Sequence, residues 1–215
     1  MHHFKKALST VMLAVVALSI VGCSNYSSKS STSNSTKTAE HSKSSAQRTN
    51  EAALKDFDKI KVGDMLNKGI GGTTLEESKT LLGKPTSTTS MKVGKQKIKA
   101  YIWEKSDIRL ALQFVKNKVV NKSIGGLKWT RTGPKATLKD YNAVKEGSSL
   151  ASLTKNFGQP DVMSTNTIQG KKTVVVVYST GINKKTSKKS ENSTANMTFS
   201  FINDKLKYKS QTDIK

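Results

Sequence analysis

Gly72-Thr73-Thr74-Leu75-Glu76-Glu77-Ser78-Lys79-Thr80-Leu81-Leu82-Gly83-Lys84-Pro85 is answered later in the chain by Gly147-Ser148-Ser149-Leu150-Ala151-Ser152-Leu153-Thr154-Lys155-Asn156-Phe157-Gly158-Gln159-Pro160, at an offset of 75 residues. Each stretch reads as a short helix with a marked start and stop. Thr73 or Thr74 caps the first, and Glu76 or Glu77 three residues on completes a capping box. Ser148 or Ser149 caps the second. Leu75, Ser78, Leu81 and Leu82 form one stripe, as do Leu150, Leu153 and Phe157. Gly83 and Gly158 suit the left-handed C-terminal position, and Pro85 and Pro160 prevent continuation.

The same offset carries Ala100-Tyr101-Ile102-Trp103 onto Val175-Val176-Val177-Tyr178. Leu110, Leu112 and Phe114 match Met197, Phe199 and Phe201 at an offset of 87, so 12 residues are inserted in the second copy, within Gly181 to Ala195. Further helices are expected at Glu51 to Phe57 and Leu138 to Val144. After each Gly-x-Pro come alternating runs separated by turn signals, the mark of antiparallel strands. They are Ser87 to Lys92, Lys97 to Glu104, Ile108 to Val115 and Val119 to Ile124. Then come Val162 to Ile168, Thr173 to Ser179, Ala195 to Ile202 and Leu206 to Ser210. The expected class is α+β, a tandem repeat of helix–helix–four-stranded antiparallel sheet units, with repeat 1 over 51–130 and repeat 2 over 131–215.

Upstream, His2, His3, Lys5 and Lys6 precede an apolar run from Ala7 to Val21, too short for a comfortable membrane span. Ile20-Val21-Gly22-Cys23 follows and resembles the lipobox of bacterial lipoproteins, with Ile20 where Leu is more usual. Residues 1–22 are therefore expected to be a lipoprotein signal peptide, with Cys23 the acylated N-terminus. Acyl methylenes contribute about 0.8 kcal/mol each, so two or three chains anchor stably. The expected location is the extracytoplasmic face of the cell membrane. Residues 23–50 are Ser, Thr, Asn and Lys with little that is apolar, which predicts a disordered tether.

Tandem units ending their capped helices in Leu82-Gly83-Lys84-Pro85 and Phe157-Gly158-Gln159-Pro160, behind a lipobox and tether, resemble the beta-lactamase inhibitory protein fold. The resemblance is closest to bacterial lipoproteins that carry this fold. It implies two sheets forming one gripping surface for a protein partner. Its motifs are structural and speak to fold before function.

Composition narrows the chemistry. Cys23 is the single cysteine, so no disulfide or thiolate metal site is expected. The histidines are His2, His3 and His41, all ahead of the expected fold, which removes the commonest general base and metal ligand from it. Gly69-Ile70-Gly71-Gly72 lacks the context of a phosphate-cradling loop and reads as a flexible approach to a helix. Asp140, Glu146 and Asp161 fall at helix starts or turns, where capping explains them. No catalytic residue, cofactor or metal is expected.

The sequence holds 37 Lys+Arg against 15 Asp+Glu, a formal charge of +22. Outside a cell this suits anionic wall polymer, lipid headgroups or an acidic protein surface rather than nucleic acid. Taking Lys99 to mark the solvent side of its strand puts Lys99, Tyr101 and Trp103 on the open face of the sheet. Arg109 and Gln113 join them from the next strand, with Val176 and Tyr178 at matching places in the second copy. Tyr, Trp and Arg are common interface anchors. Trp103 and Tyr178 equally suit a core rim with their polar atoms reaching water. Lys184, Lys185, Lys188 and Lys189 form a candidate basic loop for anionic polymer or membrane. The expected function is a non-catalytic protein-binding or envelope-assembly module. The alternatives are a basic adhesin and, on the resemblance, an inhibitor of a secreted hydrolase such as a beta-lactamase.

Overall fold

Thr74 and Glu77 cap one another. The Glu77 amide donates to Thr74 Oγ1 (3.2 Å), and the Thr74 amide donates to Glu77 Oε2 (2.7 Å). The resulting helix ends at Gly83, whose φ of 79° is open to glycine at little cost. This is one element of a computed structural model that describes residues 45–93, 96–129, 137–182 and 194–214. The elements run α1 (Ser45–Lys59), α2 (Leu75–Leu82), β1 (Ser87–Val93), β2 (Gln96–Lys105), β3 (Ile108–Val115) and β4 (Lys118–Gly125). Then follow α3 (Leu138–Ala143), α4 (Leu150–Phe157), β5 (Val162–Ile168), β6 (Lys171–Ile182), β7 (Thr194–Ile202) and β8 (Lys205–Thr212). Ser149 caps α4 and Gly158 ends it; Thr137 and Asp140 form a capping box on α3.

The expected architecture of two helix–helix–four-strand units is corrected by the sheet. All eight strands form one antiparallel sheet in the order β1 to β8. Its centre is the pairing of β4 with β5, Asn121 opposite Asn166 through Ile124 opposite Met163. An unpaired β4 and β5 would each present a bare row of amides and carbonyls. Pairing them removes two edges, and Met163 packs against the apolar clusters on both sides of the junction. Local patterning carries no mark of this pairing, because residues 126–161 separate the two strands. A smaller revision concerns α1, which begins at Ser45 inside the stretch read as tether. Asn50 is buried there, its side-chain amide donating to the Lys128 carbonyl at 2.6 Å.

The helices lie on one face. Phe57 and Ile60 from the α1 end, with Leu75, Leu81 and Leu82, pack on Trp103, Leu110, Leu112, Phe114, Val119 and Ile124. Tyr141, Val144, Leu150, Leu153 and Phe157 pack on Val174, Val176, Tyr178, Met197, Phe199, Phe201 and Leu206. Full burial of a side chain such as Phe199 contributes roughly 1.5–3 kcal/mol. Two lysines tie helix ends to the strands beneath. Lys122 Nζ donates to the Phe57 carbonyl at 2.7 Å and lies 4.2 Å from the Phe57 ring centre. Lys209 Nζ donates to the carbonyls of Tyr141 (2.8 Å) and Val144 (2.7 Å), 4.5 Å from the Tyr141 ring centre.

A meander reverses at every turn, so the β1–β2, β3–β4, β5–β6 and β7–β8 connections share one end of the sheet. Three of them place consecutive residues at positive φ: Lys116 and Asn117, Gln169 and Gly170, Asn203 and Asp204. Such pairs give the two-residue turn whose twist matches that of the strands.

Candidate functional site

The sheet face away from the helices is the candidate site, and strand register builds it. One row crosses all eight strands: Ser87, Ile102, Ala111, Ser123, Ser164, Val175, Ser200 and Tyr208. The adjacent row holds Thr89, Ala100, Gln113, Asn121, Asn166, Thr173 and Ile202. At about 4.8 Å per strand the eight-strand row spans roughly 34 Å. Short side chains dominate, so backbone and small polar groups lie within a partner's reach. Tyr208 stands out, 69% exposed on the last strand.

Two buried polar atoms on this face lack an aligned hydrogen bond among the described residues, Asn166 Oδ1 and Arg109 Nε. Arg109 Nε is within ion-pair reach of Glu104 Oε1 at 3.3 Å, yet the geometry is not that of a hydrogen bond. Asn166 sits where β4 and β5 begin to part, beside Asn121, whose amide reaches Ser164 Oγ at 3.4 Å. A buried acceptor left unpaired costs on the order of 1–3 kcal/mol.

One end of the face is roofed. Residues 60–74 cross it, with Met65 packed on Ile98, Val115 and Val120. Gly69-Ile70-Gly71-Gly72, read as a flexible approach to a helix, lies within this segment, which is instead pinned. The Gly63 amide donates to the Val119 carbonyl (2.8 Å), the Met65 amide to the Thr167 carbonyl (2.9 Å), and the Gly170 amide to Asp64 Oδ2 (2.6 Å). Backbone amides around it, that of Gly170 foremost and then those of Leu66, Asn67 and Gln169, hold the Asp64 carboxyl below the usual carboxylate range. Gly63 and Gly72 are required by close approach, since a Cβ on either would fall within 2.3 Å of a backbone oxygen.

Of the anchors expected from sequence, Arg109 and Gln113 lie on the open face. Tyr101 and Trp103 do not. Tyr101 is in register with Leu112 and Trp103 with Leu110, which puts both against the helices. Trp103 is 8% exposed, its Nε1 donating to the Gly83 carbonyl at 2.8 Å. Val176 and Tyr178 are likewise core, and the Tyr178 hydroxyl donates to the Gly158 carbonyl at 3.1 Å. Lys99 is exposed, but it shares the helix-side alternation opposite Phe114. Reading its charge as the mark of the open face reversed the strand. Cys23, the basic loop of Lys184, Lys185, Lys188 and Lys189, and the 1–22 segment lie outside the described residues. Asn121, Ser123, Ser164 and Asn166 were missed, because only β4–β5 pairing brings them together.

Electrostatics add little chemistry to this face. The carboxylates weighed from sequence serve the fold. Asp140 caps α3, Glu146 pairs with Lys207 (3.0 Å), and Asp161 Oδ2 accepts from the Ser179 amide (2.6 Å). Lys122, whose pKa burial pushes down to about 8, is on the helix side. Among the described residues no group of three or more His, Cys, Asp or Glu side chains is placed to hold a metal ion. Among them also, no helix is long and apolar enough to cross a membrane.

These features define an α+β open-faced domain, helices on one side of a single antiparallel sheet and short polar side chains on the other. The profile of a domain-of-unknown-function family, DUF3862, matches residues 49–214, and the chain belongs to that family. Its fold is similar to a crystal structure of a provisionally named beta-lactamase inhibitor protein from Streptococcus mutans. That likeness has 30% sequence identity and a TM-score of 0.56, covering 77% of this chain and 98% of that one. No curated protein matches.

Proposed function

We propose that this chain is an exported lipoprotein, anchored through Cys23, whose folded part is a non-catalytic protein-binding module. The open face of the sheet is its gripping surface. One observation carries the binding reading: a wide sheet face of short, largely polar side chains lies free of the helices. On it the buried Asn166 Oδ1 has no hydrogen-bond partner among the described residues, while Arg109 Nε is held only by the 3.3 Å ion pair to Glu104. The provisional name of the Streptococcus mutans neighbour supports a protein partner, and makes a beta-lactamase the first enzyme to offer. The anchor reading rests on the order of basic start, apolar run and Ile20-Val21-Gly22-Cys23.

The test is site-specific photocrosslinking with the full chain on intact cells. Crosslinkers at Ser123 and Ser164 are expected to capture one defined protein, and a crosslinker at exposed Lys155 on α4 is not. Equal capture from all three positions, or capture of wall polymer alone, overturns the binding-face reading. Cys23→Ser is expected to move the protein out of the membrane fraction. Retention of acyl-group labelling in that variant overturns the anchor.

A further inference from the structure

We infer that the end of the sheet carrying the β1–β2, β3–β4, β5–β6 and β7–β8 turns is a membrane-contact surface for anionic lipid headgroups. The inference rests on neither Cys23 acylation nor the protein-binding face.

Apolar side chains are exposed where a soluble surface gains nothing from them. Leu66 is 56% exposed, Ile70 64% and Val93 53%. All three are at this end, Val93 finishing β1 and the other two on the 60–74 segment. Rigidity accompanies exposure. Asp64 Oδ1 accepts from the Leu66 amide at 2.9 Å, and the Ile70 amide donates to the Asn67 carbonyl at 3.0 Å. Gln96, opposite Val93 in register, reaches the Met65 carbonyl at 3.4 Å and joins the segment to the first hairpin. Gly69 is packed so closely that an added Cβ would lie 2.6 Å from Lys118 Cβ. Leu66 and Ile70 are therefore held outward on a pinned turn, and little ordering entropy remains to be lost when they enter an apolar phase.

Charge surrounds them. Lys68, Lys92, Lys97, Lys116, Lys171 and Lys205 are exposed at this end, and none pairs with a carboxylate among the described residues. Lys92 and Lys97 face each other directly in register. Like charges so placed are unfavourable in the free protein and are relieved by an anionic surface. The nearby carboxylates are engaged: Asp64 with backbone amides, Glu77 in the α2 cap, Asp204 with Lys172 (3.4 Å). At the opposite end Lys128 pairs with Asp107 at 2.7 Å and Arg109 lies 3.3 Å from Glu104. A ring of unpaired lysines around fixed, outward leucine and isoleucine complements an anionic bilayer, whose headgroups take the charge and whose acyl boundary takes the apolar tips. An anionic polymer answers the lysines alone.

The experiment places an environment-sensitive fluorophore on the full chain in a Cys23→Ser background, at Leu66→Cys or, as a control at the far end, at Lys84→Cys. Probes are vesicles of phosphatidylcholine alone, vesicles of equal phosphatidylcholine and phosphatidylglycerol, and soluble polyphosphate. The Leu66 fluorophore is expected to shift to the blue on anionic vesicles only, and the Lys84 fluorophore not at all. Replacing Lys68, Lys116 and Lys171 by Gln is expected to weaken partitioning on the order of a hundredfold at low salt. No shift at Leu66, an equal shift at Lys84, an equal shift with polyphosphate, or indifference to the lysine changes each overturns the inference.

Discussion

Lys122→Met should leave stability near neutral pH little altered and abolish a gain that the native protein shows on going alkaline. Lys122 is 8% exposed over the Phe57 ring, and burial, partly countered by Asp58, lowers its pKa from 10.5 to about 8. At 1.36 kcal/mol per pH unit, that difference corresponds to about 3 kcal/mol between charged and neutral forms. The sign follows from proton counting. Between pH 8 and 10.5 the unfolded chain holds the Lys122 proton and the folded chain has released it, so stability rises with pH in this window. Below pH 8 both states are protonated and the full cost of burying the charge is present. The methionine variant carries no such cost. It loses the 2.7 Å bond to the Phe57 carbonyl, on the order of 1–3 kcal/mol, so the two effects nearly offset at pH 7. Urea denaturation of both proteins at pH 7 and pH 10.5 isolates the site, because the other lysines titrate alike in each. Native protein is expected to gain about 3 kcal/mol on the variant across that interval. A difference that does not change with pH would refute the argument.

Trp103→Phe and Tyr178→Phe each remove a donor to a helix-terminal carbonyl, and each is expected to cost about 0.5–1.5 kcal/mol in denaturant melts. Neither should change partner capture, since both side chains are core; loss of capture with unchanged stability would return them to the interface. Asp64→Asn is expected to flatten the acid limb of stability. The native carboxyl has a lowered pKa, so its contribution is present above about pH 3.8 and disappears as pH falls through the folded value. Acid titration followed by near-ultraviolet circular dichroism checks this, and identical limbs for both proteins would rule it out.

Local features were legible because their causes are local. Thr74 with Glu77, Gly83 at positive φ and Pro85 act within a few residues, and α2 begins and ends where they say. Gln169-Gly170 and the alternation on either side were enough to locate β5 and β6. Side-chain placement was harder. Alternation correctly separated Leu110, Leu112 and Phe114 from Arg109 and Gln113, but in β2 one exposed lysine outweighed two aromatic residues. Trp103 and Tyr178 satisfy their polar atoms on the Gly83 and Gly158 carbonyls, partners 20 residues away that no strand pattern displays.

The amino-acid sequence alone determined where helices are capped and stopped and where strands run, because hydrogen bonds to neighbours and a period of two residues are written in consecutive positions. Only the tertiary structure decided that β4 pairs with β5 and makes one sheet. It alone brought Asn121, Ser123, Ser164 and Asn166 together and turned Tyr101 and Trp103 inward. Those outcomes depend on contacts between segments far apart in the chain. The inward turn of Tyr101 and Trp103 draws on packing against the helices and on the Gly83 carbonyl. The single sheet draws on removing sheet edges and sharing Met163 between two apolar clusters, neither of which exists until both halves are folded.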